Sequence, residues 1–313
     1  MGGNGPVGKG GRGMNASLPN CSDVRVQRDI VYGEGIVGWF AEPLARPLRM
    51  DMYQPIEDSG SPRLLPALVL AFGGAFHRGS KENDSFEVDG RRNTAISEYC
   101  EVFARRGYLC ASIDYRLIPE DPDPAPGGAV DNPADIPRAR VDQVREQMGL
   151  PAATQEMLWN GIESAANDLH QAIRYLSANA ALYGIDRERI AVGGWSAGAR
   201  TALNAAFAKR APARAVVSLS GYMADADLRR LARQGEGGPA VFLAWGDNDL
   251  DYVRRQNPAI HAHLKSVGLV SDALTLPGAT HFYHRSCHTG GTLETLEEEL
   301  AAFLDRHLAP AMS

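Results

Sequence analysis

The sequence predicts an α/β protein built on a mostly parallel sheet with helices on both faces. Near-continuous apolar runs, typical of strands buried on both sides, alternate with segments that have the apolar spacing of amphipathic helices. Two strand-like segments precede this alternation, which indicates one sheet rather than two separate layers. The chain has 313 residues, of which 44% are hydrophobic, enough for one large core.

Eight segments have the composition and length of strands. The second, around Leu48 to Tyr53, alternates apolar and polar residues, whereas the later segments are almost wholly apolar. Such a contrast is typical of a sheet whose leading edge is half exposed and whose centre is covered on both faces. The predicted strands cover residues 24–32, 48–53, 64–72, 108–115, 189–195, 213–220, 240–245 and 273–276.

Helical spacing fills most of the gaps between these strands. The pattern predicts helices over residues 91–106, 139–148, 158–181, 252–267 and 293–308, and another directly after residue 196. Residues 119–137 are crowded with Pro, Asp and Gly and predict a loop. We therefore expect a single domain over residues 21–313, with a lid-like insertion at about 118–157, and a flexible glycine-rich tail over residues 1–20.

The charge and composition of the chain argue against nucleic-acid and membrane partners. The formal net charge is −6, and no basic patch with interleaved aromatic residues stands out, so we expect no nucleic-acid partner. No apolar run approaches the roughly 18 residues that a membrane helix needs. The first residues lack the apolar centre of a secretory signal, and the four cysteines are widely spaced, which favours free thiols and a cytoplasmic location. The sequence leaves a homo-oligomer open.

The stretch from Arg189 to Arg200 carries the strongest functional signal. An apolar strand pattern runs into Gly194-x-Ser196-x-Gly198, and a helical pattern of small residues follows. This sequence motif is typical of a nucleophile elbow, a tight strand-to-helix turn that exposes a serine hydroxyl. The first N–H groups of the following helix favour negative charge near that hydroxyl. The sequence therefore predicts Ser196 as a nucleophile.

A serine nucleophile needs a base and an acid that orients the base. His281 follows the last predicted strand and a glycine-containing turn, and we assign it as the base. Asp249 follows the strand before it, and the resulting order Ser, Asp, His is the one expected on such a sheet. Two neighbours compete for the acid role: Asp247, which could cap the turn, and Asp251, which could cap the next helix. We favour Asp249, at the loop crest.

The oxyanion that forms during acyl transfer needs aligned N–H donors. We expect these donors from Gly74 and Ala75, directly after the third predicted strand, and from Ala197, directly after the nucleophile. Trp195, beside the nucleophile, is predicted to form an apolar wall of the substrate site. His284, Cys287 and His288 could suggest a metal site, but no fourth ligand has metal-site spacing, so we assign no metal.

With these residues in place, the chain resembles the α/β-hydrolase carboxylesterases, of the hormone-sensitive-lipase-like and feruloyl-esterase-like kinds. The resemblance implies an oxyanion loop at residues 70–79, although Phe72 replaces the leading His and Ala75 replaces the third Gly of that motif. Four ordered segments carry it: residues 70–79, 114–120, 183–198 and 278–281.

The expected activity is carboxylic-ester hydrolysis through a Ser-His-Asp triad and an acyl-enzyme, with a small-molecule ester as substrate and no metal or organic cofactor. An amidase, peptidase or lactonase with the same triad is the alternative. A non-catalytic ligand-binding homologue is a third reading, which an intact triad disfavours.

Overall fold

The computed structural model describes residues 21, 23–56, 63–124, 126–290 and 294–310. Ten strands are present in these residues: β1 (Asp23–Val37), β2 (Leu44–Ile56), β3 (Leu65–Ala71), β4 (Glu87–Val88), β5 (Arg91–Arg92), β6 (Leu109–Ile113), β7 (Ile185–Trp195), β8 (Ala215–Leu219), β9 (Ala240–Gly246) and β10 (Ser271–Leu276). The helices are α1 (Ile96–Arg105), α2 (Ala139–Gln147), α3 (Gln155–Ala178), α4 (Ala180–Tyr183), α5 (Ala197–Phe207), α6 (Asp225–Leu231), α7 (Asp251–Ser266) and α8 (Leu296–His307).

Eight of the strands form one sheet in the order β1-β2-β6-β3-β7-β8-β9-β10. The pairs β1–β2 and β2–β6 are antiparallel, and the strands from β6 to β10 are parallel to their neighbours. The predicted mostly parallel eight-stranded sheet is therefore confirmed. Because the parallel strands end at the same edge, the loops after β3, β7, β8, β9 and β10 meet there.

The central strands are buried on both faces. Every residue of β3, β6, β8 and β9 is buried, which explains why their sequences are continuous apolar runs rather than alternating ones. Helices cover both faces, and α1 and α8 are joined by the ion pair of Arg106 with Glu297, 2.8 Å apart. The antiparallel edge strand β1 is largely exposed, as alternation in the leading segments predicts.

A buried ion pair ties the start of the insertion to α3. The guanidinium of Arg116 lies 2.7 Å from Asp168 Oδ1, and both side chains are buried. Its Nη1 also donates to the carbonyls of Ile36 and Asp123. These bonds satisfy the charges that burial would otherwise leave unpaired, and they connect β1, α3 and the loop after β6.

Glu163 of α3 anchors the middle of the insertion. Its Oε1 accepts the N–H groups of Gly128, Ala129 and Val130 at 2.7–3.1 Å, and its Oε2 lies 2.7 Å from Lys209 Nζ. A buried carboxylate with four donors is well satisfied. The described part of residues 118–157, predicted as a lid-like insertion, is therefore anchored to α3 and includes α2 and two short 3₁₀ helices, Ile118–Glu120 and Pro133–Asp135.

Two predicted helices begin later in the structure, and one helix was missed. The helix predicted over 91–106 begins at Ile96, because Arg91 and Arg92 pair with Glu87 and Val88 as a small hairpin. Helix α6 lies in a stretch that the sequence pattern left unassigned. The helix predicted from residue 293 begins at Leu296, and residues 291–293 lie outside the described part. The tail predicted over residues 1–20 also lies outside it.

Candidate active site

The turn between β7 and α5 holds Ser196 in a strained backbone conformation. Its φ is 56° and its ψ is −114°, outside the regions that residues with side chains commonly adopt. The Ser196 N–H continues the β7–β8 ladder by donating to the Leu219 carbonyl at 2.8 Å, and its own carbonyl begins α5 by accepting from Arg200. Strand and helix thus share one residue, which leaves the hydroxyl at the carboxyl edge of the sheet.

The glycines of the elbow are required by close backbone contacts. A Cβ at Gly198 would lie 1.9 Å from the Ala71 carbonyl oxygen, and one at Gly194 would lie 2.4 Å from the same atom. No side chain fits at such distances from a backbone atom. The Gly-x-Ser-x-Gly spacing therefore lets α5 and β7 pack directly against the end of β3.

Ser196, His281 and Asp249 form a hydrogen-bonded series. His281 Nε2 lies 2.8 Å from Ser196 Oγ, and His281 Nδ1 lies 2.6 Å from Asp249 Oδ1. An ionised carboxylate only accepts hydrogen bonds, so Nδ1 carries the proton and Nε2 presents its lone pair to the serine hydroxyl. The three residues predicted as a triad are thus brought together, with the imidazole in the tautomer that a general base needs.

Asp249, rather than its neighbours, reaches the histidine. Asp249 is buried and also accepts the Leu250 N–H at 2.7 Å and the Gly246 N–H at 3.3 Å. Asp247 is exposed and its Oδ1 accepts from Asn248, while Asp251 pairs with Arg254 at the start of α7. The geometry therefore favours Asp249 among the three aspartates.

Two residues that sequence reasoning missed support this acid. Ser220, after β8, donates to Asp249 Oδ2 at 2.5 Å, and its oxygen lies 2.9 Å from the Tyr283 hydroxyl. Because Ser220 has one proton, Tyr283 is the donor in the second bond. Burial, with the negative charge of Asp249, holds the pKa of Tyr283 well above its usual value and keeps this donor protonated. No sequence motif marks Ser220 or Tyr283.

The loop after β3 approaches the nucleophile with its backbone. Gly74 has φ 125°, and Ala75 and Phe76 have φ 57° and 61°, a left-handed run that turns successive N–H groups toward one side. Ala75 and Ala197 line the cavity beside Ser196. Within the described residues no hydrogen bond occupies the N–H groups of Gly74, Ala75 or Ala197, as expected of donors kept for a ligand.

Asp84 holds this loop from behind. Its carboxylate accepts the N–H of Gly73 and the N–H of Ile96, both at 2.7 Å. The same side chain thereby fixes the oxyanion loop and satisfies the amino end of α1. Burial raises the pKa of Asp84 to about 6. Asp84 lies in a polar stretch that the sequence pattern identifies only as a loop.

Phe72, at the position where the resembled motif has histidine, packs against an aromatic ring. It stacks on Tyr115, with centroids 4.3 Å apart and planes at 23°, and the Tyr115 hydroxyl donates to the Phe72 carbonyl at 2.8 Å. His77, later in the same loop, is buried, and its Nδ1 lies 2.7 Å from the Ala75 carbonyl oxygen. The aromatic pair and His77 therefore both support the loop after β3.

His77 joins the oxyanion loop to the insertion. Arg145 of α2 places Nη1 2.9 Å from His77 Nε2, and its Nε donates to the Pro151 carbonyl. Since an arginine only donates, His77 accepts at Nε2 and donates from Nδ1 to Ala75. Burial and the nearby charge of Arg145 lower the pKa of His77, and the neutral ring is the form that this bridge requires.

This bridge predicts a pH-dependent contribution to stability. In the unfolded chain His77 takes up a proton below about pH 6.5, whereas in the folded protein its lowered pKa keeps the ring neutral to lower pH. The free energy of unfolding therefore falls as the pH falls through that value. We expect urea unfolding between about pH 7.5 and pH 5.5 to show a smaller loss of stability for His77→Gln than for the wild type. Asp84, whose raised pKa acts in the opposite direction, contributes equally to both proteins. An identical loss in both would contradict the assignment.

Ser196 opens into a cavity at the carboxyl edge of the sheet. The insertion lines one side of the cavity, α3 and α5 line another, and the loop after β8 and the start of α7 complete the wall. The lining residues are Ala75, Phe76, Ile118, Ile136, Pro137, Arg140, Val141, Leu158, Ile162, Ser196, Ala197, Arg200, Ser220, Tyr222 and Tyr252.

Trp195 differs from its predicted place. It is absent from the cavity lining and lies beneath the triad, with its ring centroid 5.1 Å from that of His281 and its Nε1 donating to the His281 carbonyl. A Cβ on Gly73 would meet this ring at 2.1 Å. The side chain of a strand residue points away from its neighbour, so Trp195 turns into the sheet side while Ser196 faces the cavity. Its indole therefore contacts His281 and is not part of the cavity wall.

The residues considered as a metal site do not form one. Among the described residues no group of three or more His, Cys, Asp or Glu side chains is arranged to hold a metal ion. His284 instead hydrogen bonds Ser286. In the same part of the chain, no helix is both long and apolar enough to span a bilayer.

The BD-FAE family model, of the feruloyl-esterase-like type, matches residues 160–228, from α3 through the elbow to α6. No curated protein matches the chain.

Among solved structures, the chain is similar to an esterase from the Planctomycetes species Thermogutta terrifontis with propionate bound. The two share 18% identity over 96% of this chain and 98% of that chain, with a TM-score of 0.56. The form of Thermogutta terrifontis esterase 2 phosphorylated by paraoxon has 20% identity over 93% and 98% of the two chains, with a TM-score of 0.57. At such identities the likeness establishes the fold.

The sheet order, the nucleophile elbow, the BD-FAE segment and these structural relatives agree with one another, and the chain has the α/β-hydrolase fold of the esterases that it resembles.

Proposed function

We propose that the protein is a serine carboxylic-ester hydrolase. The observation that carries this proposal is the series from Asp249 through His281 to Ser196, with hydrogen bonds of 2.6 and 2.8 Å, at the wall of a cavity that also presents the N–H groups of Ala75 and Ala197. A nucleophile, a base, an orienting acid and oxyanion donors are the four elements of acyl transfer by serine.

In the first half-reaction, Ser196 Oγ forms a bond to the ester carbonyl carbon while its proton passes to His281 Nε2. The carbonyl oxygen becomes an oxyanion, which accepts the N–H groups of Ala75 and Ala197 and, from the same loop, of Gly74. Asp249 stabilises the imidazolium through Nδ1. The tetrahedral intermediate collapses by breaking the bond to the alcohol oxygen, which takes the proton from His281 and leaves.

The second half-reaction repeats these steps with water. His281 Nε2 takes a proton from a water molecule, whose oxygen attacks the carbonyl carbon of the acyl-enzyme. The new oxyanion occupies the same N–H groups. When the bond from carbon to Ser196 Oγ breaks, the serine oxygen recovers its proton from His281, and the carboxylic acid departs.

The structural relatives support the ester as the reacting bond. Thermogutta terrifontis esterase 2 has been solved with propionate, with butyrate and after phosphorylation by paraoxon. Propionate and butyrate are short-chain carboxylates, the acids that hydrolysis of short-chain acyl esters releases. The insertion at residues 118–157 contributes Ile136, Arg140 and Val141 to the cavity wall. We therefore propose that this insertion acts as a lid over the substrate site.

Two other functions use the same residues. An amidase, peptidase or lactonase would need the same triad, and matched ester and amide substrates separate these from an esterase. A non-catalytic ligand-binding homologue would not need His281 Nε2 within hydrogen-bond distance of Ser196 Oγ. The complete triad therefore favours catalysis.

The test combines turnover with covalent labelling. We expect hydrolysis of para-nitrophenyl butyrate, and stoichiometric inactivation by paraoxon that adds one phosphoryl group to the peptide containing Ser196, read by mass spectrometry. Acetylation of the protein by para-nitrophenyl acetate at low pH should label the same peptide. Turnover without a modification at Ser196, or modification elsewhere, would contradict the proposal.

A further inference from the structure

The cavity beside Ser196 contains positive charge without negative charge. Arg140 and Arg200 line it, whereas no aspartate or glutamate is present among the described residues of its wall. The remaining lining is mostly aliphatic and aromatic. A site for a purely apolar ester needs no arginine, so the two guanidinium groups require an explanation that simple acyl chains do not provide.

Arg200 is buried without a counter-ion. It lies one helical turn after the nucleophile, with its N–H donating to the Ser196 carbonyl at 3.1 Å, and its side chain is 3% exposed. Its Nη1 donates to the Tyr222 hydroxyl, and its guanidinium carbon lies 4.6 Å from the Tyr222 ring centroid. In the described part of the chain Arg200 forms no ion pair, and its Nε has no hydrogen-bond partner.

This arrangement costs free energy in the unliganded protein. Removing a guanidinium from water is unfavourable, and an aromatic face together with one neutral hydrogen bond offsets only part of the lost hydration. Two other buried arginines have their donors satisfied within the protein: Arg116 pairs with Asp168, and Arg145 donates to His77 Nε2 and to the Pro151 carbonyl, whereas Arg200 keeps Nε without a partner among the described residues. The contrast indicates that the partner of Arg200 is a ligand and not another part of the protein.

Arg140 approaches the same cavity from the insertion. Its guanidinium carbon lies 5.5 Å from the ring centroid of Phe282, and its Nη1 donates to the neutral Gln143 side chain at 2.7 Å. Burial and the charge of Arg78 lower its pKa, and no aspartate or glutamate among the described residues forms an ion pair with it. Arg140 on α2 and Arg200 on α5 therefore line the same cavity.

We propose that the ester hydrolysed at Ser196 carries a carboxylate group, in its acyl or its alcohol part, which pairs with Arg200 and is further stabilised by Arg140. This inference rests on the proposed esterase function and specifies the substrate class. A guanidinium matches a carboxylate through parallel N–H···O bonds, and the desolvated cavity strengthens them.

The experiment compares two pairs of esters that differ only in charge. The mono-para-nitrophenyl ester of adipic acid is paired with its terminal carboxamide, which tests the acyl part. Para-carboxyphenyl butyrate is paired with para-carbamoylphenyl butyrate, which tests the alcohol part. We expect kcat/KM to be at least about tenfold higher for the carboxylate member of one pair, as a charge-assisted hydrogen bond in a dry site allows. The carbamoyl group withdraws electrons more strongly, so intrinsic reactivity in the second pair runs the other way.

Variants of Arg200 assign the preference. We expect Arg200→Met to bring the charged-to-neutral ratio of kcat/KM to about one, and Arg200→Lys to give an intermediate ratio because it keeps the charge but loses the planar fork. Using the ratio within each variant cancels general losses of activity. Arg229→Met is the matched control, since Arg229 is exposed on α6, pairs with Asp225 and is absent from the cavity wall; its ratio should equal that of the wild type.

The outcomes separate the two proposals. Hydrolysis of the neutral members with equal kcat/KM for the charged ones would overturn the carboxylate inference alone. An unchanged ratio in Arg200→Met and Arg200→Lys would overturn it as well. Hydrolysis of none of the four esters would overturn the esterase function, and this inference with it.

Discussion

Replacing Ser196 with alanine should lower kcat/KM for para-nitrophenyl butyrate by about 10⁴ or more. The variant keeps the cavity and the oxyanion donors but has no atom that can form the acyl-enzyme. The strained backbone at residue 196 is set by the close packing of Gly194 and Gly198 against Ala71, so the elbow itself should persist. Circular dichroism and thermal unfolding should match the wild type.

A second comparison makes this result specific. His281→Ala should cause a similar loss, and the double variant Ser196→Ala/His281→Ala should lose little more than either single one, because nucleophile and base act as a unit. Ser177→Ala is the control, since the Ser177 hydroxyl makes no hydrogen bond in the described residues and lies near the carboxyl end of α3, away from the cavity. A Ser196→Ala variant with a tenth of wild-type activity would exclude Ser196 as the nucleophile.

Replacing Asp249 with asparagine should lower kcat by about 10³ to 10⁴. An asparagine amide can donate to His281 Nδ1, which would move the imidazole proton to Nε2 and leave no lone pair for the Ser196 hydroxyl. With the amide nitrogen in the place of Oδ1, the Leu250 N–H also loses its acceptor, whereas the remaining oxygen can still accept from Ser220. The loss should therefore appear in kcat rather than in KM, measured with para-nitrophenyl butyrate at neutral pH.

Asp247→Asn is the matched control for this change. Asp247 lies two residues away in the same loop and is exposed, with its carboxylate bonded only to the Asn248 side chain among the described residues. We expect kcat of Asp247→Asn to stay within about twofold of the wild type. A larger loss in Asp247→Asn than in Asp249→Asn would move the orienting acid to Asp247.

Much of the fold could be predicted because it depends on local patterns. The apolar runs of β3, β6, β8 and β9 identify strands buried on both faces, and the helical spacing identifies α3, α5 and α7. The predicted helix boundary was less accurate before α1, where a short polar segment can form either a helical turn or a strand. Residues 91–92 have helical neighbours, yet they pair with residues 87–88 as a hairpin, a pairing that no local pattern shows.

The structure adds residues that no motif marks. His77 and Arg145 are 68 positions apart, and Ser220 and Tyr283 are 63 apart, so their contacts exist only after the loops at the carboxyl edge have met. For Trp195, which the sequence did single out, the structure changes the interpretation. Its position beside the nucleophile suggested a substrate contact, but strand geometry turns the side chains of neighbouring residues to different sides, and the indole packs beneath His281.

Local chemistry determined the order of strands and helices, the elbow at Ser196, and the positions of His281 and Asp249 after their strands, because each depends on residue types at short spacing. Other features depend on distances between segments far apart in the chain. These are the choice of the aspartate that reaches His281, the side chains that support this aspartate, and the position of Arg200 in a cavity wall whose described residues include no carboxylate. Packing creates those distances, and with them the charge of the cavity beside Ser196.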